Sequence, residues 1–427
     1  MNKLGYKLYP ASKVANPVVF FDGKAIPAKV SPLHVIFAHG LLGSNKNFAS
    51  VCGTLSGLDS SQKAEKEGDG KEEDLNPIIR DNTQQSPIAP TTEPLIYNNA
   101  CFDWRNHGDS FHHLDTTLNG LSEDLQLFLN SYAAAMHIGA TELEFSKKIA
   151  RDPSVYLREA SGLPDPVPLS PDATPVPIVL VAHSMGAMVL MHWAWREHIK
   201  IWSNKIRLGD HSPTLYQNVF TNDLYKIVGA VVLDMAPSDR PATFNNTIRM
   251  IEFLTQIPLL LFKNAKEVEV WLLENGPKDV FNQQNIFQIR YHLSNLDFSD
   301  KNQPKWKIGL SEIIGGLHSI LWEEGGFDSM KLAWDTLNFA NRRRVLAHKP
   351  IWEHAEKFSE VPFCFVFGET SSYYNPKAVE NIQKHFQEPH IVDIKGADHF
   401  LFMRHKPQFM RVLRGFLQEI ENKSQIK

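Results

Sequence analysis

One serine lies between a predicted strand and a predicted helix, a position typical of a nucleophile for acyl transfer. Ser184 lies in the segment Ala182–Gly186 (AHSMG), after the apolar run Pro177–Ala182 and before a stretch with helical spacing. A serine on such a sharp strand-to-helix turn exposes its hydroxyl above the edge of a sheet. The turn strains the backbone and admits only small neighbours, which fits Gly186. Ser184 is therefore the candidate nucleophile, and an ordinary turn serine is the alternative.

A histidine near the end of the sequence is the candidate base. His399 follows the predicted strand His390–Ile394 and precedes the predicted helix Pro407–Glu421. A histidine on the loop after the final strand, later in the chain than the nucleophile, can reach a serine at the same edge of a sheet. The chain has 18 histidines, so a surface loop histidine is the alternative.

The acid that would orient this histidine has two candidates. Asp234 ends the apolar run Ile227–Leu233, whereas Glu369 lies in the loop after the predicted strand Pro362–Phe367. The carboxyl ends of parallel strands meet at one edge of a sheet, so either position can supply a site residue there. The strand-end position favours Asp234, for which a helix cap or turn acid is the alternative.

A glycine-rich segment supplies candidate donors for an oxyanion. The segment His39–Gly43 (HGLLG) ends an apolar run, and its glycines let the backbone approach a ligand. The amides of Leu41 and Met185 would together hold the oxyanion of a tetrahedral intermediate. Gly40 and His39 would support this arrangement, with His39 as a structural hydrogen-bonding group and not a base. The alternative is a glycine-rich turn with a packed histidine.

Apolar runs alternate with helical stretches along the chain. The predicted strands are Leu4–Tyr9, Pro17–Phe21, Leu33–Ala38, Asn98–Asp103, Pro177–Ala182, Ile227–Leu233, Pro362–Phe367 and His390–Ile394, and the clearest helices are Ala49–Leu58, Met185–Glu197 and Pro407–Glu421. Apolar strands without polar alternation, separated by helices, are typical of a parallel sheet covered on both faces. We therefore predict an α/β fold with a mostly parallel central sheet flanked by helices.

Three stretches interrupt this alternation and define the predicted domains. Asp59–Glu93 is polar and charged, which predicts a flexible surface insertion that packs against nothing. Asp152–Pro177 contains seven prolines and is predicted to be a loop. Residues 241–354 have helical spacing and many large apolar side chains, and they follow the sixth predicted strand. We expect a body of residues 1–240 and 355–427 with a helical cap, or lid, of residues 241–354.

Composition excludes several classes of function. The chain has 427 residues and a formal net charge of −4, so it has no general attraction to nucleic acid or anionic membranes. Cys52, Cys101 and Cys364 lack the spacing of a zinc site and are predicted to be free, buried thiols. No apolar run reaches the roughly 18–20 residues of a membrane span. Met1–Ala15 lacks the apolar core of a secretory signal, so we expect an intracellular protein, cytoplasmic or mitochondrial.

Several motifs together resemble one family. They are Leu4–Leu8 (LGYKL), His39–Phe48 (HGLLGSNKNF), Asp103–Ser110 (DWRNHGDS), His183–Gly186 (HSMG), Asp234–Pro237 (DMAP) and the glycine, serine and tyrosine of Gly368–Tyr373. The sequence thereby resembles α/β hydrolases, and among them the YbfF-like small esterases and thioesterases with their mitochondrial and fungal alcohol acetyltransferase relatives. The motifs with R-N-H-G and H-S-M-G carry most of this resemblance.

The resemblance implies a fold, an activity and further site residues. It implies the α/β-hydrolase fold, an acid after the sixth strand, at Asp234, and a supporting role for Ser371 near the histidine. It also implies a Ser-His-Asp triad that acts on short acyl esters or acyl-CoA thioesters through an acyl-enzyme, without a metal or redox cofactor. Asp398 stands where the family has glycine, and a carboxylate there could perturb the pKa and orientation of His399.

Two alternatives to hydrolysis follow from the same residues. A fungal branch of the family implies an alcohol acyltransferase, in which the acyl group of acyl-CoA passes to an alcohol. A catalytically silent binding protein with this fold would instead use the insertions as partner surfaces. An intact set of nucleophile, base and acid favours an enzyme, because a binding protein requires none of them. The sequence leaves the oligomeric state open.

Overall fold

The structure is a computed structural model, and it describes residues 4–11, 18–21, 24–58, 78–79, 95–137, 173–208, 220–237, 244–320, 357–358 and 361–424. Its strands are β1 (Tyr6–Tyr9), β2 (Val18–Phe21), β3 (Lys24–Pro27), β4 (Lys29–Ala38), β5 (Ile78–Ile79), β6 (Leu95–Phe102), β7 (Val176–His183), β8 (Tyr225–Leu233), β9 (Leu296–Asp297), β10 (Lys305–Trp306), β11 (Phe363–Gly368) and β12 (His390–Ile394). Its α-helices are α1 (Ala49–Ser56), α2 (Leu118–His137), α3 (Met185–Leu208), α4 (Phe244–Leu254), α5 (Ala265–Asn275), α6 (Ile286–Leu293), α7 (Leu310–Ile320), α8 (Pro376–His385), α9 (Leu401–Arg404) and α10 (Lys406–Ser424).

The central sheet has the predicted, mostly parallel organisation. Its strand order is β1-β6-β4-β7-β8-β11-β12-β5. The six strands from β6 to β12 in this order run parallel to one another, and β1 and β5 pair antiparallel at the two edges. The parallel arrangement explains the unbroken apolar runs of the sequence, because both faces of such strands are buried. The predicted fold class is confirmed.

Two apolar layers cover this sheet. Along β7, Ile178 and Leu180 lie in the layer formed with helices α2 and α3. Val179 and Val181 alternate with them and lie in the opposite layer, formed with α1 and α10. This alternation follows from the two-residue period of a strand, and it gives each helix layer its own apolar core. The carboxyl ends of the central strands are thereby fixed relative to one another.

Several elements differ from their predicted bounds. Helix α3 extends to Leu208 and not only to Glu197, because residues 198–208 contain neither glycine nor proline to end it. Ile78 and Ile79 form β5 and pair with β12, so this part of the insertion does not lie apart from the sheet. Two adjacent β-branched apolar residues suit an edge strand, which the polar character of the surrounding residues obscured. The rest of 59–93, and residues 152–172 of the proline-rich stretch, lie outside the described residues.

An inserted segment, which we define as residues 244–320, separates β8 from β11. It contains helices α4 to α7 and an antiparallel ribbon of β9 and β10, which the prediction of a helical cap did not include. Residues 321–354 of the predicted cap lie outside the described residues. Among the helices that the structure describes, none combines the length and apolar character needed to span a membrane. The three cysteines are free and buried, as predicted.

A buried ion pair fixes the start of the loop after β6. The backbone amide and the Nε of Arg105 each donate to Oδ2 of Asp124 at 3.0 Å, and Nη2 donates to Oδ1 at 2.8 Å. Both side chains are almost fully buried. Glu123 is the adjacent carboxylate, but it is half exposed and lies 3.8 Å from Nη2. Asp124 is therefore the carboxylate that compensates the buried guanidinium.

We predict that Asp124→Ala destabilises the protein by about 3–5 kcal/mol, because it removes the buried carboxylate to which the guanidinium donates. The charged partners that remain are the partly exposed Asp115, 3.6 Å from Nη1, and Glu123. Glu123→Ala is the matched control and should cost less than about 1 kcal/mol, since an exposed pair is screened by water. Urea denaturation followed by circular dichroism measures both changes. Equal losses for the two variants would contradict the assignment of Asp124 as the compensating charge.

Candidate active site

Ser184 lies on the turn between β7 and α3 in a strained conformation. Its φ is 52°, in the left-handed region that residues other than glycine rarely adopt. Its amide donates to the carbonyl of Leu233 at 3.1 Å, which ties the turn to the neighbouring strand β8. A side-chain carbon at Gly186 would lie 2.5 Å from the carbonyl oxygen of His39. Glycine is required there because the start of α3 packs directly on the end of β4.

Three predicted site residues form one hydrogen-bonded chain. Nε2 of His399 is 3.0 Å from Oγ of Ser184, and Nδ1 of His399 is 2.6 Å from Oδ2 of Asp234. Asp234 follows β8 with a φ of 53° and is fully buried, while His399 remains partly exposed. The structure therefore brings together a hydroxyl, an imidazole and a carboxylate that are distant in sequence.

The carboxylate of Asp234 has two further donors. Its Oδ1 accepts the amide of Gly368 at 2.9 Å, and its Oδ2 accepts the hydroxyl of Ser371. The resemblance implied a position for Ser371 near the histidine, whereas the structure bonds it to the acid. A hydroxyl donor suits this place because a buried carboxylate needs several hydrogen bonds to offset its lost hydration.

The other two carboxylates near the histidine face elsewhere. Glu369 is exposed and accepts the amide of Gly396, in the loop after β12, at 2.8 Å, so it bonds to a backbone amide and not to the imidazole. Asp398 accepts the amide of Phe400 at 3.0 Å and pairs with the guanidinium of Arg404. The carboxylate of Asp398 therefore bonds to the backbone just before helix α9 and to a cation. Neither of these hydrogen bonds goes to the imidazole of His399.

Two aromatic rings fix the imidazole of His399, and the sequence reasoning assigned neither of them a role. Tyr373 stacks on the imidazole with 4.7 Å between ring centroids, and burial raises the pKa of Tyr373 to about 12. The centroid of the His183 ring lies 4.6 Å from that of the His399 ring, and Nε2 of His183 donates to the carbonyl of His399 at 2.8 Å. Burial holds the pKa of His183 well below its usual value, so this ring is a neutral donor. The sequence signal for these two rings was their place in motifs of the family resemblance, His183 in His183–Gly186 and Tyr373 in Gly368–Tyr373.

The candidate oxyanion donors lie beside the serine. The amide of Gly43 donates to the carbonyl of Gly40 at 3.0 Å, which closes a four-residue turn. A side-chain carbon at Gly40 would lie 2.9 Å from Cβ of Ser184, so the backbone at the start of this turn touches the nucleophile. Within the described residues, no protein acceptor binds the amide of Leu41 or of Met185. Met185 is the first residue of α3, where helix amides lack intrahelical partners.

His39 has a structural environment. Its Nδ1 donates to the carbonyl of Gly40 at 2.8 Å, and its Nε2 accepts the amide of Trp104 at 3.4 Å. Burial, together with the nearby ring of His107, holds the pKa of His39 well below its usual value. A neutral, buried ring that is bonded on both sides is suited to support and not to proton transfer. Within the described residues, no group of three or more potential ligands is arranged to bind a metal.

We predict that Gly186→Ala lowers the melting temperature. We also expect it to lower the rate of any Ser184-dependent reaction at least tenfold. The added carbon would meet a backbone carbonyl, and the resulting shift would separate the serine from the Gly40–Gly43 turn. Gly315→Ala is the matched control, because a carbon there meets no heavy atom within 4 Å and lies in helix α7. The control should be as stable as the parent or slightly more stable. Unchanged stability and rate in Gly186→Ala would show that the turn is not closely packed.

Comparison with known proteins agrees with this architecture. No curated protein matches the chain. Among solved structures, a marine microorganism esterase is similar over 97% of this chain and 98% of its own, with 16% sequence identity and a TM-score of 0.53. An E-2-(acetamidomethylene)succinate hydrolase covers 92% of this chain and 94% of its own, with 14% identity and a TM-score of 0.46. Residues 89–411 match the Alpha/beta hydrolase family, and because this match spans most of the sequence, the chain belongs to that family.

Proposed function

We propose that the protein is a serine hydrolase with Ser184 as nucleophile, His399 as general base and Asp234 as the orienting acid. The observation that carries this proposal is the continuous chain from Oγ of Ser184 through the imidazole to the buried carboxylate, with distances of 3.0 and 2.6 Å. Such a chain activates a hydroxyl that is otherwise a weak nucleophile. Membership of the Alpha/beta hydrolase family independently supports hydrolase chemistry.

The proposed mechanism begins with a defined tautomer of His399. Its Nδ1 carries hydrogen toward Asp234, so the lone pair of Nε2 accepts the proton of Ser184 as Oγ attacks the acyl carbonyl. Asp234 stabilises the imidazolium that forms. The imidazolium then protonates the leaving group, and a water molecule that is deprotonated by the same ring releases the acyl group from the serine.

The oxyanion of the tetrahedral intermediate needs donors on the opposite side of the carbonyl. We infer that the amides of Leu41 and Met185 provide them, since both flank Ser184 and neither has a protein acceptor among the described residues. Removal of one such donor typically costs about 10²–10³ in kcat. Gly40 and His39 support the donor segment through the hydrogen bonds and contacts described above.

We propose short acyl esters or acyl thioesters as the substrates, with water as acceptor. The resemblance of the Asp103–Ser110 and His183–Gly186 motifs to YbfF-like small esterases and thioesterases supports this class. The inserted segment also contributes apolar rings near the base: those of Phe287 and Tyr291 lie 5.2 and 5.0 Å from that of Phe400. We infer that residues 241–354 act as a cap on a body of residues 1–240 and 355–427, so that the substrate reacts beneath aromatic side chains. These steps use no metal or redox group.

The nucleophile is tested by Ser184→Ala. We expect this variant to lose labelling by a fluorophosphonate probe and to lose hydrolysis of p-nitrophenyl acetate and acetyl-CoA, because Ser184 supplies the hydroxyl that contacts Nε2 of His399 among the described residues. Mass spectrometry gives the stoichiometry of labelling, and circular dichroism verifies the fold. Stoichiometric labelling or full turnover in the folded variant would refute the assignment.

The acid is tested by comparing Asp234→Asn with two variants in the neighbouring loop. Asp234→Asn should lower kcat by about 10⁴, because an amide favours the wrong tautomer of His399 and cannot balance the imidazolium. Ser371→Ala should cost less, since it removes one of the hydrogen bonds to Asp234 but keeps the charge. Glu369→Gln is the control and should stay within about tenfold of the parent, because Glu369 bonds to Gly396. A larger loss for Glu369→Gln than for Asp234→Asn in folded protein would place the acid after β11.

A further inference from the structure

One residue of the Gly40–Gly43 turn is held from two sides. The amide of Leu42 donates to Nε2 of His107 at 3.2 Å, and its carbonyl accepts Nδ2 of Asn295 at 2.7 Å. His107 belongs to the loop after β6, whereas Asn295 belongs to the inserted segment, between α6 and β9. All three residues are buried. The turn therefore bridges the body and the inserted segment through both polar groups of a single residue.

The turn has a physical need for such contacts. Leu42 has a φ of 55° at the third position of the turn, where a type II geometry requires a positive φ and normally selects glycine. A leucine in this conformation costs on the order of 1–2 kcal/mol relative to the right-handed alternative. Without external hydrogen bonds, Leu42 would lower its conformational free energy by rotating out of the left-handed conformation. The two bonds to Leu42 oppose that rotation.

The donor and acceptor roles in this contact are fixed. Nδ1 of His107 donates to the carbonyl of Arg105 at 2.9 Å, so its Nε2 presents a lone pair to the amide of Leu42. Burial lowers the pKa of His107 to about 4, which keeps the ring neutral and accepting at neutral pH. Asn295 also donates to the carbonyl of His292 at 3.2 Å, which orients its amide relative to α6.

A second contact joins the inserted segment to the same turn. A side-chain carbon at Gly43 would lie 2.3 Å from the hydroxyl oxygen of Tyr291, so the Tyr291 side chain rests on the backbone of Gly43. Tyr291 and Asn295 are one helical turn apart, and they contact adjacent residues of the Gly40–Gly43 turn. The end of α6 is therefore the part of the inserted segment that contacts the candidate oxyanion loop.

We propose that Asn295, together with His107, is a positioning residue for the oxyanion hole, so that the inserted segment completes the hole by fixing Leu42. This inference rests on the proposed serine hydrolase function and extends it. The amide of Leu41 precedes the fixed residue, and its direction depends on the conformation of the turn. Loss of the Asn295 bond leaves the nucleophile, base and acid in place but misaligns one oxyanion donor. Stabilisation of the transition state then falls while binding of the ground-state ester changes little.

The test compares Asn295→Leu and Asn295→Asp with Thr116→Val. Leucine keeps the branched shape of asparagine, with a larger volume, but donates no hydrogen bond, and aspartate places an acceptor against the carbonyl of Leu42. Thr116→Val is the control, because Oγ1 of Thr116 donates to the carbonyl of Glu312 at 2.9 Å and so joins the body to the inserted segment without contacting the turn. The same oxygen accepts Nδ2 of Asn106 at 2.8 Å, and Asn106 keeps the carbonyl of His113 as its second acceptor in this variant. The full chain is assayed with p-nitrophenyl acetate, and a trifluoromethyl ketone serves as an analogue of the tetrahedral intermediate.

We expect both Asn295 variants to lower kcat by about 10–100-fold, part of the loss for a deleted oxyanion donor, and to change KM less than about threefold. The inhibition constant of the ketone should rise by the same factor as kcat falls, since both depend on the oxyanion donors. Thr116→Val should keep kcat and the inhibition constant within about threefold of the parent, although it loses a contact of similar strength.

Three results would overturn the proposal. The first is a folded Asn295→Leu with parental kcat and inhibition constant. The second is an equal loss in Thr116→Val, which would mean that any contact to the inserted segment has this effect. The third is an Asn295 variant that fails to fold, because Asn295 would then support the whole structure and not the turn. Failure of the proposed function is distinguishable, since Ser184→Ala would then remain active or the parent would not bind the ketone.

Discussion

The fully buried carboxylate of Asp234 is the constraint on which the candidate site depends. A carboxylate without water is strongly destabilising unless hydrogen-bond donors surround it. Its donors come from three places in the chain: the amide of Gly368 at the end of β11, the hydroxyl of Ser371, and the imidazole of His399 after β12. The sheet order β7-β8-β11-β12 brings these elements next to one another at one edge. The sheet order therefore supplies the hydrogen-bond donors that the buried carboxylate of Asp234 requires.

Residues with a strained backbone at this edge of the sheet are fixed by hydrogen bonds to neighbouring elements. Ser184 and Asp234 both have positive φ values, and so does Leu42 in the Gly40–Gly43 turn. Each of these residues is fixed by hydrogen bonds to a neighbouring element: to β8 for Ser184, to β11 for Asp234, and to two separate segments for Leu42. Strained residues persist only where the surrounding structure over-determines them. Their concentration here indicates that the site is organised before a substrate arrives.

Much of the fold and part of the candidate site could be predicted from local sequence patterns. The parallel sheet followed from unalternating apolar runs, and Ser184, Asp234 and His399 each stood within five residues of the end of one of those runs. Contacts between distant segments could not be read in this way. The pairing of Asp398 with Arg404, the donation from His183 to the carbonyl of His399, and the bond of Ser371 to the acid all depend on side-chain directions. The ribbon of β9 and β10 was missed because two-residue strands leave no periodic pattern.

The two-residue strand β5 has a consequence for how copies of the protein meet. β12 would otherwise end the sheet with a row of unpaired backbone donors and acceptors, which is a template for pairing with another chain. Ile79 and Ile78 occupy the positions opposite Val392 and Asp393, in the middle of that row. Intermolecular strand exchange at this margin must first displace them. A segment outside the candidate active site thus occupies the part of the sheet edge that a second copy would need for strand pairing.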